Sequence, residues 1–394
     1  MTERARAARL AGVVVIVACA LIAGVRCLGS REPDRRGADA TATGAARPPS
    51  SGARAAPRGR DAEALAGIAA PPEPTFAPGI SRRERALYTL ASYLDWARYP
   101  PQSRPIRERP DRVKGHSVPV RRLPLSKKDK APSRLDVVLS QSHYYLARDE
   151  VAELVLRCRQ GEEPVACRVT GATLAASPEM KGRPGPPVAV AFEPGGAGAG
   201  EAASVGVWRA LVTPGQSGFA GAHGPLEISV GVEGAGESGS CSFQLSYTGD
   251  PPAVFNGSTS TVVTGGSVRT CLGMQVVRAG RYVLDVRVVD VEGRPFALLT
   301  FNDELAAGAQ EACLVLPGRL ILDEGAKGPL GLRDLEGFLL LADAFPDRET
   351  VPSVDGTFHE GITFAPDSLS AEEWKSPVKD RTVARLQKDV DEAE

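Results

Sequence analysis

The sequence predicts a mainly β protein: two tandem β-sandwich domains, preceded by an N-terminal membrane helix, a disordered stalk and one amphipathic helix. Three observations carry that expectation. From Leu135 onward, short runs of β-branched and aliphatic residues recur between Gly, Pro and Ser clusters, the pattern of an all-β sandwich or barrel. Gly (42) and Pro (32) make up about 19% of the 394 residues against an average of about 12%, so turns and unstructured stretches are abundant. Residues 10–25 form an uncharged apolar run with a basic start before it and a polar tract behind it.

The run Leu10–Val25 (LAGVVVIVACALIAGV) follows Arg4, Arg6 and Arg9. A spanning helix needs about 20 apolar residues, with a lower bound near 17. Leu28 and snorkelling Arg stems extend the span. Residues 1–28 therefore read as a signal-anchor that meets the cytoplasmic membrane through residues 10–25. Two alternatives stay open. A cleaved signal peptide has the same layout, although Val25 and Arg26 stand where small residues should precede cleavage. A lipoprotein would be lipidated at Cys19, since Ile16-Val17-Ala18-Cys19 resembles a lipobox; here the apolar run continues past it and Cys27 follows Arg26. Arg26, Arg31, Arg35 and Arg36 follow the span, so the positive-inside rule does not separate its two sides. The architecture behind the span favours export, with the C-terminal body in the cell envelope, periplasmic or at the surface.

Residues 29–80 are rich in Arg, Ala, Pro and Gly and poor in large apolar side chains. Such a segment cannot bury enough surface to offset the entropy of ordering, and reads as a disordered stalk. Charge is partitioned: residues 1–134 hold 26 Lys and Arg against 12 Asp and Glu, and residues 135–394 hold 21 against 36. The overall net charge of -1 conceals a basic stalk and an acidic body, and excludes a surface built wholly for nucleic acid. The basic tract is a solvated linker or, alternatively, a contact with anionic lipid.

Residues 81–134 combine a helix and a strap. Ser81 and Glu84 form an S-x-x-E capping box. Leu87, Leu90, Ala91 and Leu94 then give an apolar stripe at helical spacing, with Tyr88 and Trp96 at its edges, and Pro100-Pro101 end it. Its expected partner is the body that follows, with membrane surface as the alternative. Residues 99–134 are Pro-rich and basic and read as an extended strap; a Pro-rich recognition segment through Pro101, Arg104 and Pro105 is the alternative.

Residues 135–250 carry the first series of strands, with Asp250-Pro251-Pro252 as its boundary. Residues 251–368 carry the second. There, Val286–Val289 between Arg281-Tyr282 and Asp290 reads as a half-buried strand, and Glu292-Gly293 as a hairpin turn. Arg319–Leu322 reads as a further strand, and Leu332–Leu341 as a strand pair turning at Gly337. About 100 residues is the usual size of one such domain. Residues 369–394 are charged; Pro377 suits a first helical turn, and a ragged stripe through Val378, Arg381, Val383, Leu386 and Val390 suggests a short surface helix.

Residues 279–295 (AGRYVLDVRVVDVEGRP), with Leu305 to Gly308, 317–323 (PGRLILD) and 328–335 (GPLGLRDL), resemble the β-sandwich modules of exported bacterial envelope proteins, including choice-of-anchor domains. The first series is similar to the companion module, whose core strand reads G-x-Y-x-A; here Gly206, Trp208 and Ala210 stand at those positions. The resemblance spans residues 135–350. It implies tandem Ig-like β-sandwiches in an envelope, adhesion or scaffold component, and brings no catalytic residues. The loop before Gly206 is Asp-rich in such modules, whereas here it offers only Glu193 and Glu201, too few oxygens for Ca²⁺.

No H-E-x-x-H, C-x-x-C, G-x-S-x-G or P-loop motif occurs. His359-Glu360 reads as a loop pair, His143 beside Tyr144-Tyr145 as packing at a strand end, His116 as part of the strap and His223 as part of a Gly-rich loop. Five cysteines lie beyond the anchor, so at least one is unpaired. Cys158 and Cys167 flank a hairpin and form a disulfide or two buried thiols; Cys241, Cys271 and Cys313 read as buried thiols on strands. The function expected is non-catalytic and without cofactor or metal: a structural, adhesive or scaffold role, with an envelope protein or polysaccharide as partner and no specific nucleic acid. The alternatives are an accessory subunit of an envelope complex, or a hydrolase of envelope polymers. The hydrolase would need His143, His223 or His359 placed against a Ser or paired carboxylates.

Overall fold

The computed structural model describes residues 80–116, 118–127, 132–182, 184–195 and 205–393. The expected membrane segment, with Cys19, and the stalk before residue 80 lie outside the described residues, as does Glu201. Among the described residues, no helix is long and apolar enough to cross a membrane.

The chain runs through α1 (Arg82–Trp96), β1 (Ser103–Pro105), β2 (Arg121–Pro124), β3 (Asp136–Gln141), β4 (Tyr145–Ala147), β5 (Ala152–Gln160) and β6 (Glu163–Pro164). Next come β7 (Cys167–Ala176), β8 (Lys181–Gly182), β9 (Val188–Ala189), β10 (Glu193–Pro194), β11 (Val207–Val212), β12 (Ala222–Gly234) and β13 (Glu237–Thr248). The second half holds β14 (Ala253–Thr264), β15 (Ser267–Val276), β16 (Gly280–Val289), β17 (Pro295–Leu305), β18 (Gly308–Pro317), α2 (Gly318–Asp323), β19 (Leu330–Leu340), β20 (Arg348–Ile362) and α3 (Pro377–Asp391). The protein is mainly β, built from sheets whose strands pair antiparallel except β4, which joins β13 in parallel.

Two sheets make the first body. One has the order β10-β11-β5-β3-β2, with β6 on β5; the other has the order β4-β13-β12-β7-β9, with β8 on β12. Alternation builds its core. Leu226, Ile228, Val230 and Val232 are buried along β12 while the residues between them are not, as period-2 side-chain placement requires. They share one apolar cluster with Leu154 and Leu156 of β5 and with Phe243 and Leu245 of β13.

The second body pairs β1-β17-β16-β19-β20 with β14-β15-β18 around a separate cluster. Here β16 departs from the half-buried strand expected. Leu284, Val286 and Val288 enter the core, but Asp285 and Arg287 on the opposite face are buried as well. The strap causes this. β1 adds to the sheet edge, pairing Ser103 with Leu299 and Pro105 with Ala297, and residues 106–114 continue over the outer face. Ile106 and Val113 pack there against Leu298.

Three further expectations give way to other structure. Arg319–Leu322 forms the helical turn α2 instead of a strand. Beyond Pro317 the β15 partner has run out, and consecutive Leu320 and Ile321 both enter the core, which a strand's alternation forbids. Leu330–Leu340 is one strand, because Gly337 serves close packing and not a turn: a Cβ there would lie 2.3 Å from Leu284 Cδ2. Its partner is β20, interrupted by Pro352, Gly356 and Gly361 and by repeated register shifts. Finally, α1 docks on α3, through Ala86, Leu90 and Tyr93 against Val383, Leu386 and Val390, leaving Leu87 and Leu94 exposed. The capping box at Ser81 and Glu84 is formed.

Candidate functional site

The two bodies and the strap meet around β20. Glu150, in the turn after β4, accepts hydrogen bonds from the Ser353 backbone N–H (2.6 Å) and hydroxyl (2.5 Å). Thr248 Oγ1 accepts from Thr350 N–H (3.0 Å). The Arg348 guanidinium lies over Phe338 and Tyr145, 4.6 and 5.4 Å from the ring centroids.

Beside these contacts the structure gathers His116, His143 and Asp355 from three separate segments. Their candidate ligand atoms all lie within 4.8 Å of one another. His116 ends the strap. Its φ of 52° is left-handed, an uncommon backbone for a non-glycine residue, and its N–H donates to the Glu336 carboxylate. Gly115 before it permits close approach, since a Cβ there would meet Asp334 Cβ at 3.1 Å. His143 lies in the turn after β3. Asp355 sits in a β-bulge: Arg333 pairs with Thr357 and Leu335 with Val354, so β20 carries Asp355 and Gly356 opposite Asp334 alone. The bulge is held by Gly356 N–H donating to Asp334 Oδ1 (2.8 Å), and bulges of this kind re-aim side chains.

His116 Nε2 is 3.0 Å from Asp355 Oδ1, and His143 Nε2 is 4.0 Å from Asp355 Oδ2. The imidazole centroids are 4.1 Å apart. Each ring is supported on its other nitrogen: Glu336 Oε1 is 3.5 Å from His116 Nδ1, and Ser142 Oγ is 2.8 Å from His143 Nδ1. Burial, and then the facing His116, hold the His143 pKa below the usual imidazole value. Glu336 is itself fixed by Arg287, a fully buried guanidinium. Arg287 donates to Glu336 Oε2 (3.1 Å) and to the carbonyls of Arg112 (2.9 Å), Lys114 (3.3 Å) and Asp334 (2.8 Å). Its donors thus tie the strap to β19.

The other histidines stand apart. His359 places Nδ1 2.9 Å from Thr259 Oγ1 and Nε2 3.1 Å from Thr261 Oγ1, bridging β20 to β14. His223 reaches Thr248 Oγ1 (3.2 Å), and burial lowers its pKa. Ser142 Oγ, the hydroxyl nearest His143, also accepts the Glu153 N–H (2.9 Å), which anchors it as a support for the ring. An open groove of 520 Å³ lined by Ile321, Leu322, Ala326, Pro329, Phe364 and Leu369 is mainly apolar and separate from the histidines.

Cys158 and Cys167 are disulfide-bonded, joining β5 to β7 and so one sheet of the first body to the other. Cys271 and Cys313, which read as buried thiols in the sequence, form a second disulfide; β15 and β18 place them directly opposite each other. Their sulfurs are therefore not thiolate donors toward Glu311. Cys241 is a free thiol, pushed up to about 12 by burial.

The histidine cluster was missed at the level of sequence because its members are 27 and 212 residues apart, far outside any motif spacing. The one local signal was the Gly beside each of two members, Gly115 and Gly356.

No protein-family model matches the chain, and no curated protein matches it. Among solved structures it is similar to a DUF4785 family protein from Legionella pneumophila subsp. pneumophila str. Philadelphia 1, at 13% identity over 57% of each chain with a TM-score of 0.37. The Yersinia pseudotuberculosis adhesin InvE matches at 16% identity over 61% of this chain and 63% of that one, TM-score 0.19. Trypsin-activated alpha-2-macroglobulin from Escherichia coli matches at 10% identity over 56% and 15%, TM-score 0.19. The chain spans less than two thirds of the length of each.

Proposed function

We propose that this chain is a non-catalytic, membrane-anchored protein of the bacterial cell envelope, with its β-rich body displayed outside the cytoplasmic membrane in a structural, adhesive or scaffold role. The observation that carries this reading is the pair of disulfides, one in each body, because such bonds persist in oxidising compartments and are rare in the cytosol. The apolar run at residues 10–25 supplies the route of export and the membrane attachment, by a retained anchor, a cleaved leader or lipidation at Cys19.

In this reading the two bodies are tandem Ig-like sandwiches. Tyr282 supports it: at the start of β16, its hydroxyl donates to the carbonyl of Arg278 four residues upstream (2.6 Å), as in the tyrosine corner of such domains. The partner is an envelope protein or polysaccharide met at loops and sheet edges.

A C-terminal tag probed with protease in intact, osmotically opened and detergent-lysed cells tests the proposal. Digestion in intact or opened cells, with one alkylatable thiol per chain beyond the anchor, is the expected result. Protection until lysis, with five alkylatable thiols, would sink both export and envelope function.

A further inference from the structure

We propose that His116, His143 and Asp355 form a binding site for a divalent transition-metal ion of the zinc class, which pins the strap and the first body to β20. The inference goes beyond the envelope reading and does not depend on it.

Three features of the donor set argue for an ion. The first is convergence. One nitrogen from each of two imidazoles and one carboxylate oxygen, from segments distant in sequence, lie within 4.8 Å of one another, and both Nε2 atoms approach Asp355, at 3.0 and 4.0 Å. A tetrahedral ion with bonds of about 2.0–2.1 Å would hold its ligands about 3.4 Å apart, so small side-chain adjustments bring the set to coordination distance. The second is support. A metal-bound histidine characteristically turns its other nitrogen to an acceptor that fixes ring and tautomer. Both rings do so here, His116 toward Glu336 and His143 toward Ser142, and Glu336 is anchored in turn by buried Arg287. A mere histidine–aspartate hydrogen bond requires neither the second imidazole nor these braces. The third is backbone investment. His116 sits at positive φ, and Asp355 occupies a bulge, so two unusual backbone positions aim side chains at the same place.

The chemistry of the set selects the ion. Imidazole donors suit zinc and its neighbours, whereas Ca²⁺ and Mg²⁺ take oxygen ligands and would find a single carboxylate. The histidine side chains are 14% exposed and that of Asp355 is 65% exposed, so the fourth position opens toward solvent and takes water. Bound, the ion would link residue 116 of the strap, the β3–β4 turn of the first body and β20 of the second.

The test uses the full chain in detergent, stripped with a chelator and titrated with Zn²⁺ against a chromogenic competitor. Co²⁺ serves as a coloured substitute. One Zn²⁺ per chain, visible Co²⁺ bands of a four-coordinate site, no displacement by millimolar Ca²⁺, and a rise in Tm with Zn²⁺ concentration are expected. His143→Ala and Asp355→Asn should weaken Zn²⁺ binding by more than about 100-fold, and Ser142→Ala by about 10-fold. His223→Ala should leave it unchanged. Asp355 is exposed, so its variant keeps the test valid if His143→Ala fails to fold. Absence of uptake by the stripped chain, or uptake that persists in Asp355→Asn and in whichever His143 variant folds, would overturn the proposal.

Discussion

The two bodies bury polar groups differently. Among the described residues, the buried polar side chains of the first body are the hydroxyls of Ser246 and Thr248. The second encloses Asp285, Arg287, Asp290 and Asp334, and all but Asp290 sit under or beside the strap. The first body ends in very short edge strands, and its β2 edge comes from the end of the strap, immediately before β3 in the chain. The second takes its β1 edge and the core residue Tyr99 from a segment some 150 residues earlier in the chain. Burying charge is costly unless it is paired and hydrogen-bonded. The strap's carbonyls and the Glu336 carboxylate are what Arg287 is paired with, so the strap is a component of the second body and not a cover laid over it.

The sharpest way to break this contrast is Arg287→Met. It removes the charge, strands Glu336 and leaves three carbonyls without their donor. The expected cost is about 3–5 kcal/mol, the range for breaking a buried ion pair from one side. The loss should fall on the second body alone. The three tryptophans separate the outcomes: Trp208 reports the first body, while Trp96 and Trp374 flank the second. In denaturant unfolding, the Trp96 and Trp374 signal should move to lower concentration and the Trp208 signal should stay. Equal movement of both would mean that the bodies unfold as one unit and that the contrast is only descriptive.

The disulfides sharpen the comparison at a smaller scale. Cys158–Cys167 closes nine residues and Cys271–Cys313 closes 42. Loop-closure entropy then assigns about 2.6 kcal/mol to the first and about 4 kcal/mol to the second. The paired substitution Cys271→Ser with Cys313→Ser should therefore destabilise its body more than Cys158→Ser with Cys167→Ser destabilises the other, as read from the two tryptophan transitions. The reverse order would show that native contacts, and not loop length, set these costs.

What the sequence made legible follows the same division. β12 and β5 were readable because their alternation is local and one face meets a core. β20 was not, since Pro352, Gly356 and Gly361 break the alternation and the bulges they accommodate matter only opposite β19. The strap read as extended from its prolines, but nothing in residues 99–116 names β17 as its edge partner. That pairing depends on which sheet edge is left free once the chain has folded. The buried outer face of β16 was hidden for the same reason, because Asp285 and Arg287 look like solvent-facing alternates until the strap covers them. The metal-ligand candidates were the least legible, since His116, His143 and Asp355 are neighbours only through strap, turn and bulge together.

The smallest effect expected distinguishes the first body by acid. Glu237, at the start of β13, accepts from the Ser133 hydroxyl and from the N–H groups of Arg134 (3.0 Å) and Leu135 (3.3 Å), fixing the entry into β3. The Ser133 hydrogen bond leads the causes that pull its pKa down to about 2 from 4.5; burial opposes it, and the backbone bonds and Lys127 add to it. A carboxylate depressed on folding contributes stability that is complete above its unfolded value and is lost as pH falls through the folded one. The first body should therefore weaken between about pH 4.5 and 2. Glu237→Gln should lower its stability at pH 7 and flatten that acid limb of the Trp208 transition. The second body, which draws nothing from Glu237, should show the same acid profile with and without the substitution. An unchanged acid limb for Trp208 would mean that the strand entry holds without the charge, and that the first body is closed by its apolar alternation alone.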